Sequence, residues 1–208
     1  MVRVKICGIT NLEDARLAAR LGADALGFNF YEKSVRFVTP AAAAEMIAQL
    51  VEPVAKVGVF VNHSIDEILS AVDLASLDAV QLHGDESYRF VSDLRARCAC
   101  RIIKALRVSP DFDPNDSLDF EADGILLDGY STNARGGTGE TFDWEVAKLV
   151  WTFVPELWLA GGLTPENVRQ AVTEVRPYAV DACSSLESAP GVKDAAKLER
   201  FISEAKGA

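Results

Sequence analysis

The sequence predicts an α/β chain folded as a single-domain (β/α)8 TIM barrel over residues 1–208. Three observations point there. Short apolar runs rich in β-branched residues alternate with stretches of helical periodicity from end to end, the pattern of parallel strands joined by right-handed crossovers. The apolar runs number eight. The chain of 208 residues also lies within the ~200–250 residues of a minimal barrel of this kind. A doubly wound open sheet is the competing architecture. It lacks its usual marker, because Cys7-Gly-Ile-Thr-Asn after the first run is not a G-x-G-x-x-G fingerprint.

The predicted strands are 4–8, 23–30, 55–61, 79–84, 101–108, 122–129, 157–162 and 179–185. Segments pairing apolar residues at i, i+3 and i+4 separate them: 10–21, 40–50, 64–72, 86–97, 143–153, 165–175 and 193–205. Thr10 and Thr39 stand where N-caps are expected, and Thr164 precedes Pro165, which suits a first helical turn. Between the fifth and sixth strands, Pro110 and Pro114 forbid a regular helix, so the fifth helix is expected to be degenerate. No linker or low-complexity stretch interrupts the chain.

Composition excludes several function classes. The net charge is −10, whereas nucleic-acid binding needs a basic face. Hydrophobic residues make up 49%, too many for a disordered chain. No apolar run approaches the ~20 residues that span a bilayer, and no signal-peptide pattern opens the sequence. A soluble, cytoplasmic protein with no nucleic-acid or membrane partner is expected, as a monomer or homodimer. Residues 105–208 carry 18 acidic and 9 basic side chains, with six acids between Asp111 and Asp123, the composition of a solvated acidic loop. Cys7, Cys98, Cys100 and Cys183 lack the spacing of a zinc or redox motif, and free thiols are the expectation.

In such a barrel, chemistry gathers where strands end. Those ends are Cys7, Asn29, Asn62, His83, Arg107, Asp128, Gly161-Gly162 and 181–185. Period-two alternation puts Lys5 with Cys7, Gln81 with His83, and Leu126 with Asp128 on common faces, while Ile6, Leu82 and Leu127 turn toward the helices. Two glycine-rich stretches, Gly136-Gly137-Thr138-Gly139 and Gly161-Gly162, allow close backbone approach to an anion. Gly161, Gly162, Ser184 and Ser185 form the candidate phosphate site, since loops after the last two strands commonly hold phosphate in this architecture. Residues 133–139, with their glycine hinges, form a candidate lid.

The ordered motifs Lys5-Ile-Cys-Gly-Ile-Thr10, Arg36-Phe-Val-Thr-Pro40, Gly58-Val-Phe-Val-Asn62, Gln81-Leu-His-Gly-Asp-Glu86, Gly136-Gly-Thr-Gly139 with Phe142-Asp-Trp144, and Ala160-Gly-Gly-Leu-Thr-Pro-Glu-Asn-Val168 together resemble the phosphoribosylanthranilate isomerases of tryptophan biosynthesis. The resemblance covers essentially the whole chain. It implies an Amadori rearrangement of N-(5-phosphoribosyl)anthranilate, a small phosphorylated substrate, with no cofactor and no metal. It implies Cys7 as general base, Asp128 as general acid and Arg36 as the binder of the anthranilate carboxylate. Such roles suit the residue types. A thiol with an ordinary pKa of ~8.5 needs help to ionise near neutrality, whereas the acid must retain a proton. Burial and a neighbouring carboxylate such as Asp181 would favour that proton, and a guanidinium fits a planar carboxylate.

Alternatives stay open at three positions. Lys5 either supplies positive charge to Cys7 or pairs with a buried carboxylate. His83 lines the pocket, meets substrate or Asp128, or is structural. Asp181 orients ribose hydroxyls or holds Lys5. Departures from the family pattern fall at Gly129 after the acid, at Cys183 in place of a serine, and at Leu186 in place of a glycine. Those departures are the support for a second class of protein, a non-catalytic barrel that binds a phosphorylated ligand. A third, a metal-dependent sugar-phosphate epimerase, lacks its set of histidines and acids.

Overall fold

A computed structural model of the chain describes residues 1–129, 142–154 and 156–208. Eight parallel strands pair in chain order, and the last pairs the first, so the sheet closes on itself. They are β1 (Arg3–Cys7), β2 (Ala25–Asn29), β3 (Ala55–Phe60), β4 (Ala79–Leu82), β5 (Arg101–Val108), β6 (Gly124–Gly129), β7 (Leu157–Leu159) and β8 (Ala179–Ala182). Helices α1 (Leu12–Arg20), α2 (Pro40–Ile47), α3 (Ile65–Ala75) and α4 (Tyr88–Arg95) follow β1 to β4. A 3₁₀ turn, Pro114–Asp119, stands after β5, as the two prolines dictate. Helices α5 (Trp144–Trp151), α6 (Val168–Val175) and α7 (Ala195–Lys206) follow β6, β7 and β8.

Local chemistry sets the helix starts. Thr39 accepts from the Ala42 amide and Pro40 opens α2. Ser64 and Glu67 form a capping box at α3. Asp143 and Asp194 cap α5 and α7. Two expectations are corrected. Asn11, not Thr10, caps α1, because its side-chain oxygen accepts the Asp14 amide at 2.8 Å. Thr10 instead donates to the Gly191 carbonyl at 2.5 Å and ties the first loop to the last. Helix α6 begins at Val168 rather than at 165, since the Asn167 side chain folds back to accept the Thr164 amide at 2.8 Å. After β8 the chain forms a second 3₁₀ turn, Ser184–Leu186, and a short antiparallel hairpin of β9 (Glu187–Ala189) and β10 (Val192–Lys193).

Alternation along each strand separates two apolar clusters. Ile6, Leu82 and Leu127 are fully buried in the outer cluster between strands and helices, as the pattern requires. The inner cluster holds Ala25, Val57, Ala79, Ile103, Ala105, Leu126, Trp158, Ala160 and Ala179. It fills the barrel with mostly small side chains, and the inward residues above it are polar. A packed floor under a polar mouth is the usual arrangement of this architecture. Among the described residues, no helix is long and apolar enough to cross a membrane.

Candidate active site

The mouth is built from the inward phase of the strands where each one ends. On β1 this phase carries Lys5 and Cys7. A Cβ at Gly27 on β2 would lie 2.8 Å from the Cys7 sulfur and 3.1 Å from Lys5 Cε, so only glycine leaves room for both side chains. Register sets Lys5 opposite Asp181 of β8, and Lys5 Nζ donates to Asp181 Oδ2 at 2.8 Å. Both groups are buried. Burial opposes the Lys5 ammonium, but Asp181 and Cys7 outweigh it and hold the lysine charged, above its ordinary range. The two roles weighed for Lys5 therefore coincide: one ammonium serves the carboxylate and the sulfur.

The Cys7 thiol is held well below the usual thiol range. The largest cause is a hydrogen bond from the Cys183 thiol; the Lys5 and Lys193 charges add to it, against burial. Cys183 moves the other way, first because it donates to Cys7 and then because it is buried. The carboxylate raised here is Asp181, lifted to about 7 by burial despite Lys5, with the negative charges of Cys7 and Asp128 contributing.

Asp128 ends β6, buried at the mouth, and its Oδ2 lies 3.2 Å from His83 Nε2. Gln81 Nε2 lies 2.8 Å from His83 Nδ1. With the amide donating to Nδ1, the ring is held from behind with its Nε2 edge toward Asp128. Of the roles open to His83, contact with Asp128 is the one present.

Arg36 comes from the loop after β2. Ser34 Oγ accepts both the Asn29 side-chain amide and the Arg36 backbone amide, each at 3.1 Å, and the turn sends the guanidinium inward beneath Gly8. Its Nε and Nη2 each donate at 2.7 Å to Glu187. Lys193 Nζ joins Glu187 at 3.0 Å. Burial works against the Glu187 charge, but Arg36 and Lys193 prevail and keep its pKa below the usual carboxylate range.

After β7, Gly161 and Gly162 both take positive φ, 77° and 67°. A Cβ on Gly161 would lie 2.2 Å from the Gly129 amide nitrogen; this close approach requires glycine. Ser185 Oγ donates to the Leu163 carbonyl at 2.5 Å, which joins the β7 loop to the 3₁₀ turn of Ser184 and Ser185. The four candidate phosphate residues thus form one continuous rim. The candidate lid, with Gly136, Gly137, Thr138 and Gly139, lies outside the described residues.

Sequence reasoning left out Glu187 and Lys193, and placed Arg107 at a strand end without a role. The turn pair Pro190-Gly191 is the signal for the hairpin that brings Lys193 back to Glu187. Arg107 continues the inward phase of Ile103 and Ala105 and stands in register with Asp128. Among the described residues its Nη2 is sealed from water without a hydrogen-bond partner, as are Gln81 Oε1 and Asp181 Oδ1. Three orphaned polar atoms on inward positions of β4, β5 and β8 mark a place prepared for a polar ligand.

The fold and mouth define a (β/α)8-barrel enzyme of acid–base type for an anionic sugar derivative. The profile of a known family, described as N-(5'phosphoribosyl)anthranilate (PRA) isomerase, matches residues 4–204. The N-(5'-phosphoribosyl)anthranilate isomerases of Geotalea uraniireducens and Geobacter sulfurreducens are each 50% identical over 207 residues, covering all of both chains. The crystal structure of the Thermotoga maritima phosphoribosyl anthranilate isomerase is 44% identical with a TM-score of 0.92, again over both full chains. A related structure, 43% identical with a TM-score of 0.88 over both full chains, holds reduced 1-(o-carboxyphenylamino)-1-deoxyribulose 5-phosphate. The chain belongs to the N-(5'-phosphoribosyl)anthranilate isomerase family.

Proposed function

We propose that this chain, acting as one domain over residues 1–208, converts N-(5-phosphoribosyl)anthranilate to 1-(2-carboxyphenylamino)-1-deoxyribulose 5-phosphate in L-tryptophan biosynthesis. Asp128 gives its proton to the ring oxygen as the C1–O bond breaks and the anilino nitrogen lone pair forms a protonated imine. The Cys7 thiolate then takes the C2 proton. The electrons of that C–H bond neutralise the imine, and the enolamine formed tautomerises to the ketone. His83 holds Asp128 in place from β4. The loops of Gly161, Gly162, Ser184 and Ser185 take the phosphate, and Asp181 lies within the same mouth to meet the sugar. Arg36 takes the anthranilate carboxylate. Glu187 occupies the Nε edge of its guanidinium, and the other edge, carrying Nη1, is the one offered to substrate.

The observation that carries this reading is the meeting of Cys7 and Asp128 at one mouth. Cys7 is surrounded by groups that favour its anion, and Asp128 is buried at the same mouth with His83 Nε2 3.2 Å from its Oδ2. A thiolate to take a proton and a carboxyl group to give one are what this acid–base reaction needs. The test is turnover: purified protein should consume freshly made phosphoribosylanthranilate without added metal or cofactor. Binding of a reduced product analogue with no consumption of substrate would overturn it in favour of the non-catalytic barrel.

A further inference from the structure

We propose that Cys7 and Cys183 form an oxidative modification site, in which a peroxide oxidises the Cys7 sulfur and Cys183 closes the product as an intramolecular disulfide. The pairing of β1 with β8 runs through Lys5↔Asp181 and Ile6↔Ala182. Cys7 is the last residue of β1, and Cys183 directly follows the last residue of β8, so the two cysteines stand at the same end of that seam. Each thiol acts on the other's ionisation, Cys183 favouring the Cys7 anion and Cys7 keeping Cys183 protonated. A Cβ on Gly8 would lie 2.7 Å from the Cys183 sulfur, so the missing side chain of Gly8 is what admits that sulfur beside Cys7. Both cysteines are only partly buried.

The chemistry balances with one peroxide. The Cys7 thiolate attacks the O–O bond; an S–O bond forms, sulfur gives up two electrons, and the other oxygen leaves as water after taking a proton. The Cys183 thiolate then attacks the Cys7 sulfenic sulfur. An S–S bond forms, the S–O bond breaks, and the hydroxyl leaves as water with the Cys183 proton. Two thiols and one peroxide thus give one disulfide and two waters.

The order of events follows from the surroundings. The first cause that keeps Cys183 protonated is its hydrogen bond to Cys7. Oxidation removes the negative charge from Cys7 and with it that cause. Lys193 Nζ, 3.2 Å from the Cys183 carbonyl and 3.9 Å from its sulfur, remains to favour the second thiolate. The other two cysteines sit in surroundings that disfavour a thiolate. Cys98 is buried, and Cys100, lifted to about 11 chiefly by burial with Cys98, Asp78 and Asp73 adding to it, donates to the Leu77 carbonyl at 3.1 Å.

The linkage goes beyond the proposed catalytic role and is read independently of it; only its effect on turnover rests on Cys7 as base. Purified protein treated with hydrogen peroxide should be digested without reductant and mapped by mass spectrometry. The expected product joins the Cys7 peptide to the Cys183 peptide with the loss of two hydrogens. Turnover disappears in parallel and returns with dithiothreitol. In the Cys183→Ser protein the joined peptide is absent, Cys7 is trapped as sulfenic acid by dimedone, and prolonged peroxide inactivates beyond rescue by dithiothreitol. Peroxide-treated wild-type protein that contains only a Cys98–Cys100 linkage, or a Cys183→Ser protein that dithiothreitol rescues as fully as wild type, would overturn the proposal. A Cys7–Cys183 linkage in a protein whose turnover is undiminished would leave the modification standing and count against Cys7 as the base.

Discussion

Lys5 Nζ donates to Asp181 Oδ2 at 2.8 Å across the seam where β1 meets β8, and the same ammonium neighbours the Cys7 sulfur. One cation is therefore divided between two anions inside the barrel. Removing it leaves Cys7 with its Cys183 hydrogen bond and the more distant Lys193 charge. The Lys5→Met protein should show the acidic limb of its kcat/KM profile displaced upward, toward the ordinary thiol value of ~8.5. A pH profile with its acidic limb unmoved would show that Lys5 has no part in ionising Cys7.

The raised pKa of Asp181 has a consequence for stability. Its folded value of about 7 exceeds the ~3.9 of an unfolded chain, so the folded state binds the extra proton between them. The stability that this proton contributes is fully present below the unfolded value and is lost as pH rises through about 7. Urea unfolding of wild-type and Asp181→Asn proteins should show wild type losing stability relative to the variant as pH rises from 4 to 8. A difference that is flat across the range would contradict the assignment.

Arg107 Nη2 is sealed from water with no acceptor among the described residues, which is costly in a folded protein and useful to an arriving anion. Arg107→Met should raise the urea midpoint of the free protein and raise KM for substrate, a gain in stability opposed by a loss in binding. Unchanged KM would confine Arg107 to structure.

Arg36 and Glu187 give a contrast between two substitutions. Arg36→Ala removes a charged hydrogen-bond pair from substrate, about 1.5–3 kcal/mol or roughly a 10- to 150-fold loss of kcat/KM. Glu187→Gln leaves the guanidinium in place but frees its held edge, so the loss should be smaller and lie mainly in KM. Equal losses from both would mean that Glu187, rather than Arg36, governs capture. Since the chain as a whole is at −10, capture depends on such local groups and not on long-range attraction.

The barrel was legible because its evidence is periodic. Period two in the strands separated Ile6, Leu82 and Leu127 from Cys7, His83 and Asp128 without knowledge of any contact. The resemblance supplied roles for Cys7, Asp128 and Arg36 that spacing by itself does not. Less legible were contacts set by loops. Glu187 lies 151 positions from Arg36 in sequence, and only the hairpin at Pro190-Gly191 brings it to the mouth with Lys193. Arg107 was placed at a strand end but given no role, because one arginine in sequence carries no sign that its nitrogen will be sealed and unpaired. Thr10 was read as a cap from its residue type, while Asn11, one position on, had the geometry.

The central claim is that Cys7 removes the C2 proton. Its most direct test is the turnover of Cys7→Ala on freshly made phosphoribosylanthranilate, beside circular dichroism to confirm the fold and calorimetry with a reduced product analogue to confirm binding. The predicted result is a folded protein that binds the analogue and loses kcat by roughly 10²- to 10⁴-fold, the usual worth of a general base. A folded, binding-competent Cys7→Ala protein with wild-type kcat would contradict it.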